Sequence, residues 1–199
     1  MSLNKNDTNL SKKIKNIHQE LIDACFDNNQ KAQFEIYKLY YKAMYNSAFR
    51  ILNDRMEAED VMQESFLDAF RKIHQYDGTA TFGAWLKRIV INKSIDTLKK
   101  IKNMESLESA EKQIIEHDEE NYNEVISYKI DEIRNCMTKL PEAYRVVLSL
   151  YLLEGYDHEE ISKIMNLSYN ATRTKYSRAR KKLLLLLKQS NIAKTVSLN

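Results

Sequence analysis

The stretch HEEISKIMNLSYNATRTKYSRARKKL, from His158 to Leu183, contains two segments with apolar residues at helical spacing and a short polar turn between them. In the first segment Ile161, Ile164 and Met165 fall on one face, because residues three and four apart are neighbours on an α-helix. The turn ends at Ser168, whose hydroxyl suits the N-cap of a second helix. A short helix, a tight turn and a longer helix predict a helix-turn-helix.

The second helix of this motif is predicted to have an apolar inward face and a basic outward face. The inward positions are Leu167, Thr172, Tyr176, Ala179 and Leu183. The outward positions, which we predict to bind DNA, are Asn170, Arg173, Thr174, Ser177, Arg178, Lys181 and Lys182. Arginine can bind guanine through two hydrogen bonds in the major groove, and the remaining bases can neutralise phosphate.

The charge of this segment supports the same prediction. From Arg173 to Lys188 the chain has seven bases and no acid, and such a run repels itself unless a polyanion covers it. The alternative is a terminal amphipathic helix with a solvated basic face. That alternative does not account for the turn, the N-cap and the absence of acids together.

The composition of the whole chain predicts an all-α protein. Only three Gly and one Pro occur in 199 residues, too few for the turns of a sheet protein. Cys25 and Cys136 lie far apart in the chain, as expected of two reduced thiols rather than a disulfide or a metal site. The first residues of the sequence are polar and lack the apolar stretch typical of a signal peptide, and no apolar run reaches membrane-spanning length. No phosphate-loop, paired-histidine or nucleophile-elbow motif occurs in the sequence. We therefore expect a cytoplasmic, non-enzymatic protein without metal or cofactor.

Three helical patterns precede a break in composition. They run from Phe34 to Leu52, from Val61 to Ile73 and from Phe82 to Leu98, with Asn53 or Asp54 and then Thr81 as N-caps. The segment from Glu105 to Glu124 then has eight acids against one lysine. We predict a polar segment at residues 1–30, a helical domain at 31–104, an acidic linker at 105–125 and a helix-turn-helix domain at 126–190. In the last domain Pro141 begins a helix that Gly155 closes.

Three motifs together resemble the extracytoplasmic-function (group IV) sigma factors. AEDVMQESFLDAFRKI and TFGAWLKRIVINKSIDTLKK are similar to regions 2.2 and 2.3–2.4 of the sigma2 domain, and Leu140–Leu183 is similar to sigma4. The resemblance covers roughly Ala32 to Lys188, with no room for a sigma3 domain. Recognition helices of the family often begin Gly-Thr-Val-Lys-Ser, whereas this chain has NATRT, so the base preference of other members does not carry over.

The resemblance implies roles for two charged segments. The segment from Asn53 to Asp68 contains six acids and only one arginine, and it is expected to bind the clamp helices of the polymerase β′ subunit. The matching positions are Ala58, Glu59, Asp60, Gln63 and Glu64. The segment from Lys87 to Lys102 contains six bases and only one acid, and it is expected to bind the −10 element. Asn92 matches a family position near the flipped base of the non-template strand. Its predicted DNA-binding residues are Lys87, Arg88, Asn92, Lys93, Asp96, Lys99 and Lys100.

The implied partners are core RNA polymerase, through the β′ clamp helices and the β flap, and promoter DNA; an anti-sigma factor is a candidate. The loop from Tyr76 to Trp85 can supply a stacking surface for single-stranded bases, although the helical register of Trp85 favours a core position. The acidic linker is interpreted either as an electrostatic mimic of RNA or as a solvated spacer. The alternative function is a stand-alone helix-turn-helix repressor or activator, which would bind duplex DNA without polymerase, usually as a dimer.

Overall fold

The computed structural model of the protein describes residues 16–108 and 130–196, and every regular element within these ranges is helical. The predicted all-α class is therefore confirmed. The chain divides into two compact units, the first ending at Ser94 and the second beginning at Ile95, so the division falls inside a helix. Most of the predicted linker at 105–125 lies outside the described residues, and the boundaries at 104 and 126 stay predictions.

The elements follow one another in a simple order. Those that begin in the first unit are α1 (Gln19–Phe26), α2 (Gln30–Leu52), α3 (Arg55–Arg71), a 3-10 turn (Ile73–Gln75) and α4 (Phe82–Glu108). Those of the second unit are α5 (Ile130–Thr138), α6 (Glu142–Leu148), a π-helical turn (Ser149–Leu153), α7 (His158–Met165) and α8 (Tyr169–Val196).

Polar side chains at the helix ends define α2 and α3. Asn29 caps α2 by accepting hydrogen bonds from the backbone of Lys31 and Ala32. Asn53 ends the same helix in the left-handed conformation (φ 58°), which asparagine tolerates better than most residues. Asp54 then caps α3 through the backbone N–H of Glu57. Of the two N-caps expected from the sequence, Asp54 is the one that the structure uses.

The core of the first unit lies mainly between α2 and α3, which pack along each other. Its fully or almost fully buried apolar residues include Met44, Ala48, Ile51, Val61, Met62, Phe66, Ala69 and Ile73, all of which the helical pattern predicts. The pattern also predicts Phe34 on this buried face, but Phe34 is 59% exposed. Ala32 and Ile36 occupy the buried positions in the first turns of α2 instead.

The N-terminal segment also differs from expectation. The sequence predicts residues 1–30 as a polar segment outside the helical domain, yet α1 lies within them and packs on α2. Ile22 and Cys25 are completely buried on its inner face. The helix has only eight residues, fewer than the window of about 11–18 residues over which helical periodicity is recognised, which is why the sequence pattern does not reveal it.

The second unit places α8 against α5, α6 and α7. Gly155 closes the π-helical turn with φ 79°, a conformation that glycine adopts without strain. Val146, Val147 and Leu150 are buried as predicted, whereas Leu153 is 37% exposed. The π-helical turn holds more than 3.6 residues per turn, so the apolar register derived for an α-helix no longer applies at Leu153.

Candidate nucleic-acid and polymerase interfaces

The helix-turn-helix is built by a capping residue at each step. Asp157 caps α7 in a capping box with Glu160, and Asn166 ends that helix with φ 54°. Ser168 then caps α8, since its Oγ accepts a hydrogen bond from the backbone N–H of Ala171 at 3.2 Å. The predicted helix, turn and second helix are therefore all present.

The outward face of α8 gathers the predicted DNA-binding residues. Six of them line one shallow depression on the surface: Asn170, Arg173, Thr174, Ser177, Arg178 and Lys181. All six are exposed, as is Lys182 one residue further on. The guanidinium of Arg173 lies 5.8 Å from the ring centre of Tyr169, a cation–π contact that orients the side chain at the start of the helix.

The inward face of α8 holds the motif together. Thr172 and Ala179 are completely buried and Leu183 nearly so, while Tyr176 is half-buried. The Tyr176 ring packs against Tyr151 and His158, at 4.5 Å and 5.0 Å between ring centres. These contacts join α8 to the π-helical turn and to the start of α7, so the outward face has a fixed orientation within the motif.

The residues of α4 that are predicted to bind the −10 element differ in their exposure to solvent. Arg88 and Asn92 are exposed one turn apart, and Lys87 is half-buried. Further along the same helix, beyond the division of the units, Asp96, Lys99 and Lys100 are exposed. Lys99 Nζ lies 3.5 Å from Asp96 Oδ1, so this base partly neutralises the acid beside it.

Lys93 is held by α3 rather than left open to solvent. Its Nζ lies 2.9 Å from Glu64 Oε2 and 2.9 Å from Asp68 Oδ2. Burial acts to lower the pKa of Lys93, but hydrogen bonds to the two carboxylates outweigh it and raise the pKa above its usual value. The hydrogen bond from Lys93 in turn lowers the pKa of Asp68. A residue predicted to bind −10 DNA therefore joins the two helices.

The acidic face of α3 is present, with one exception. Glu59, Asp60, Gln63 and Glu64 are exposed, and Gln63 Nε2 donates to Glu59 Oε1 at 3.2 Å. Ala58, predicted as a polymerase-binding position, is completely buried. It lies on the inner face of α3 and packs in the core, so it can affect a partner only by supporting the helix.

Two large apolar residues of α3 extend this face beyond the sequence prediction. Met56 is 79% exposed and Leu67 is 56% exposed. They stand eleven residues apart, or about three helical turns, so they fall on one side of the helix. Their exposure gives the acidic face an apolar component.

The start of α4 contains an aromatic cluster with a buried polar group. The Phe82 ring packs against Tyr40, Tyr76 and Trp85, at 5.8 Å, 5.6 Å and 5.6 Å between ring centres. Trp85 is only half-buried, so the sequence-based preference for a core position holds in part. Asn16 reaches this cluster from the N-terminal segment, a contact that no local sequence pattern indicates.

No helix within residues 16–108 and 130–196 has the length and apolar character needed to cross a lipid bilayer.

Comparison with family models identifies both halves of the chain. Residues 36–103 match the model of Sigma-70 region 2, and residues 130–183 match the model of Sigma-70, region 4. The first match contains the acidic face of α3 and most of α4, and the second contains the helix-turn-helix.

Individual relatives agree with these matches. The chain is 30% identical over 152 residues to the ECF RNA polymerase sigma factor SigM of Bacillus subtilis, covering 75% of this chain and 91% of that protein. It is 29% identical over 165 residues to the ECF RNA polymerase sigma factor SigW of the same organism, covering 78% of this chain and 88% of that protein.

Solved structures show a similar fold. The sigma factor RpoE of Bartonella quintana, in complex with the anti-sigma factor NepR, superposes with a TM-score of 0.53 at 20% identity, over 77% of this chain and 95% of that one. CnrH in complex with the cytosolic domain of CnrY superposes with a TM-score of 0.51 at 22% identity, over 86% and 97%.

Proposed function

This chain belongs to the ECF RNA polymerase sigma factors, and from that membership we propose which partner each of its charged faces binds during transcription initiation. The protein is a transcription initiation factor that binds core RNA polymerase and directs it to specific promoters through their −10 and −35 elements. The chemistry of RNA synthesis belongs to the polymerase, and we assign no catalytic residue to this chain. Because its promoters and polymerase are cytoplasmic, we expect it to act there.

The −35 element is assigned to the outward face of α8. The observation that carries this assignment is the exposed face of α8, which contains no acid and begins directly after the turn that Ser168 caps. In helix-turn-helix docking the N-terminal part of the second helix contacts base edges. Arg173 and Arg178 are therefore assigned to bases, and Lys181 and Lys182, further along the helix, to phosphate.

The −10 element is assigned to α4. Arg88 and Asn92 are exposed one turn apart, and the half-buried Trp85 lies one turn before Arg88. Capture of single-stranded bases requires an aromatic surface beside positive charge, and this face offers both. Lys93 contributes to the same region mainly by fixing α4 against Glu64 and Asp68.

Core polymerase is assigned to the exposed side of α3. Its acids Glu59, Asp60 and Glu64 suit a basic partner helix, and complementary charge speeds association and sets orientation. Met56 and Leu67 add apolar area, which charge pairing alone does not supply. The β flap is a second expected contact of the chain. RpoE and CnrH, of similar fold, are each seen with a partner protein, which supports a search for an anti-sigma factor here.

The test is reconstitution with core polymerase. The purified chain should co-purify with core enzyme and transcribe a subset of promoters from a random library, whereas core enzyme alone should not. Selected promoters should share two short elements at a fixed spacing. The alternative function, a stand-alone helix-turn-helix repressor or activator, predicts tight binding to duplex DNA without polymerase and no association with core enzyme.

A further inference from the structure

Asn16 connects the N-terminal segment to the beginning of α4 through two hydrogen bonds. Its Oδ1 accepts from the backbone N–H of Phe82 at 2.7 Å, across a separation of 66 residues. Its Nδ2 donates to the hydroxyl of Tyr76 at 2.9 Å. The side chain is only 8% exposed, so these hydrogen bonds are shielded from water.

This interaction completes the cap of α4. The first N–H groups of a helix have no partner within the helix and need an acceptor from elsewhere. Thr81 supplies a local one, since its Oγ1 accepts from the N–H of Ala84 at 3.3 Å. Phe82 is completely buried, so its N–H needs an acceptor inside the protein, and Asn16 provides it.

The same interaction fixes the loop that leads into α4. The Tyr76 hydroxyl accepts from Asn16 and donates to the carbonyl of Ala80 at 2.8 Å, which closes the loop across its base. The Tyr76 ring lies 5.4 Å from Trp85, between ring centres. Asn16 therefore determines where Tyr76 sits, and Tyr76 supports the half-buried Trp85.

Trp85 begins the exposed face assigned to the −10 element. Residues 85, 88 and 92 recur at helical spacing, so Trp85, Arg88 and Asn92 line one side of α4. We propose that Asn16 is a positioning residue for promoter opening, which holds the Tyr76–Thr81 loop and the first turn of α4 in the arrangement that captures −10 bases. This inference rests on the proposed function of α4.

A purely structural role would have a different signature. Cys25 is completely buried in α1, and its truncation to alanine removes packing atoms of this helix while it leaves both hydrogen bonds of Asn16 in place. Cys25→Ala is thus a control for weakened packing. Asn16→Leu keeps the number of side-chain heavy atoms and removes both hydrogen bonds, together with the one that Nδ2 donates to Gln19 Oε1 at 3.0 Å. Asn16→Asp keeps an acceptor for the N–H of Phe82 and loses the donor to Tyr76.

The experiment uses holoenzyme assembled from core polymerase and each full-length variant on one promoter identified with the wild-type protein. Permanganate reactivity of −10 thymines measures opening, and titration with core enzyme measures association. We expect Asn16→Leu to reduce opening roughly fivefold at unchanged core affinity, as for loss of a buried hydrogen bond. Asn16→Asp keeps the acceptor for the N–H of Phe82 and loses the donor to the Tyr76 hydroxyl, so its opening should lie between those of wild type and Asn16→Leu.

Several results would overturn the inference. Equal opening by Asn16→Leu and Cys25→Ala at matched melting temperature would make Asn16 structural only. Opening by Asn16→Asp at the wild-type level would show that the hydrogen bond to Tyr76 does not contribute, which contradicts the inference. Tyr76→Phe should reproduce the defect without adding to that of Asn16→Leu, and full additivity contradicts a shared role. If Asn16→Leu does not fold, Asn16→Asp and Tyr76→Phe carry the comparison. Failure of wild-type holoenzyme to open any promoter would instead contradict the proposed function.

Discussion

Lys93 Nζ on α4 lies 2.9 Å from Asp68 Oδ2 on α3. The two side chains are 24% and 26% exposed, so the ion pair is partly shielded from solvent. The neighbouring Asn92 points outward and is exposed. Adjacent residues of one helix therefore differ in role: Lys93 holds the helix in place, and Asn92 is available to contact DNA.

Substitution of these two neighbours should separate stability from promoter opening. Lys93→Ala is expected to lower the free energy of unfolding by about 1 kcal/mol, because it leaves two carboxylates without their shared base. Asn92→Ala should cost less than about 0.5 kcal/mol, since the side chain is exposed. Denaturant unfolding measures the first effect. Permanganate footprinting of the −10 region should show the larger opening defect in Asn92→Ala, and the reverse order would exchange the two roles.

The ion pair also predicts a pH dependence of stability. The pKa of Asp68 is lowered in the folded protein, so its contribution is present above the unfolded pKa of about 4 and is lost as pH falls through the folded value. The pKa of Lys93 is raised, so its contribution is present below about 10.4 and is lost as pH rises through the folded value.

Asp68→Asn tests this dependence. The variant should be less stable than wild type near neutral pH, and the difference should shrink as the pH falls below about 4. Melting curves between about pH 3 and pH 7 measure it, with Asp96→Asn as an exposed control on α4. A constant difference between Asp68→Asn and wild type across this range would show that the pair does not stabilise the fold.

The α3 face gives a prediction about polymerase binding. Glu59→Lys with Asp60→Lys should weaken association with core enzyme at least about tenfold, because the double reversal places roughly four units of charge change on the binding surface. Glu64 is left unchanged, since it binds Lys93 within the protein. Affinity measured at two salt concentrations should show the defect most clearly at low salt.

The control for this prediction has the same net charge. Glu20 and Glu35 are exposed acids on α1 and α2 rather than on α3, and Glu35 pairs with Lys38 of its own helix at 2.7 Å. Glu20→Lys with Glu35→Lys should leave core affinity within about twofold of wild type, because long-range charge effects are largely screened. If both pairs weaken association equally, net charge rather than the α3 face determines polymerase binding.

The sequence predicts α3 and the helix-turn-helix well, because their apolar periods are strong and their caps are local. Ser168 and Asp54 cap helices only a few residues away, so their role is visible in the sequence. Asn16 is different, because its partners lie 60 and 66 residues further along the chain. No periodic pattern encodes such an interaction.

Two errors have a more specific cause. Ala58 matches a family position for polymerase binding, but it occupies the inner face of α3 beside Val61 and Met62. A helical projection of the same residues predicts its burial. The buried position expected for Leu153 depends on an α-helical register that the π-helical turn interrupts, and the sequence has no signal for that turn.

The outward face of α8 contains two chemically different groups, whose functions can be tested separately. Arg173 and Arg178 lie in the part of the helix that contacts base edges in helix-turn-helix docking. Lys181 and Lys182 lie further along the helix, in the part that we assign to phosphate. Each arginine can bind guanine through a bidentate pair of hydrogen bonds and so distinguish one base from another. A lysine that neutralises a phosphate contributes affinity but carries no information about the base sequence.

Arg173→Ala or Arg178→Ala in holoenzyme should therefore relax preference at particular −35 positions, at roughly 1–3 kcal/mol for each bidentate pair of hydrogen bonds removed. Lys181→Ala and Lys182→Ala should weaken binding to all promoters about equally, and should reduce the salt dependence by roughly one unit for each phosphate that is no longer neutralised. Binding to a library of −35 variants at three salt concentrations distinguishes the two patterns. If all four variants bind uniformly more weakly and keep the same sequence preference, α8 acts only as a basic surface and reads no bases.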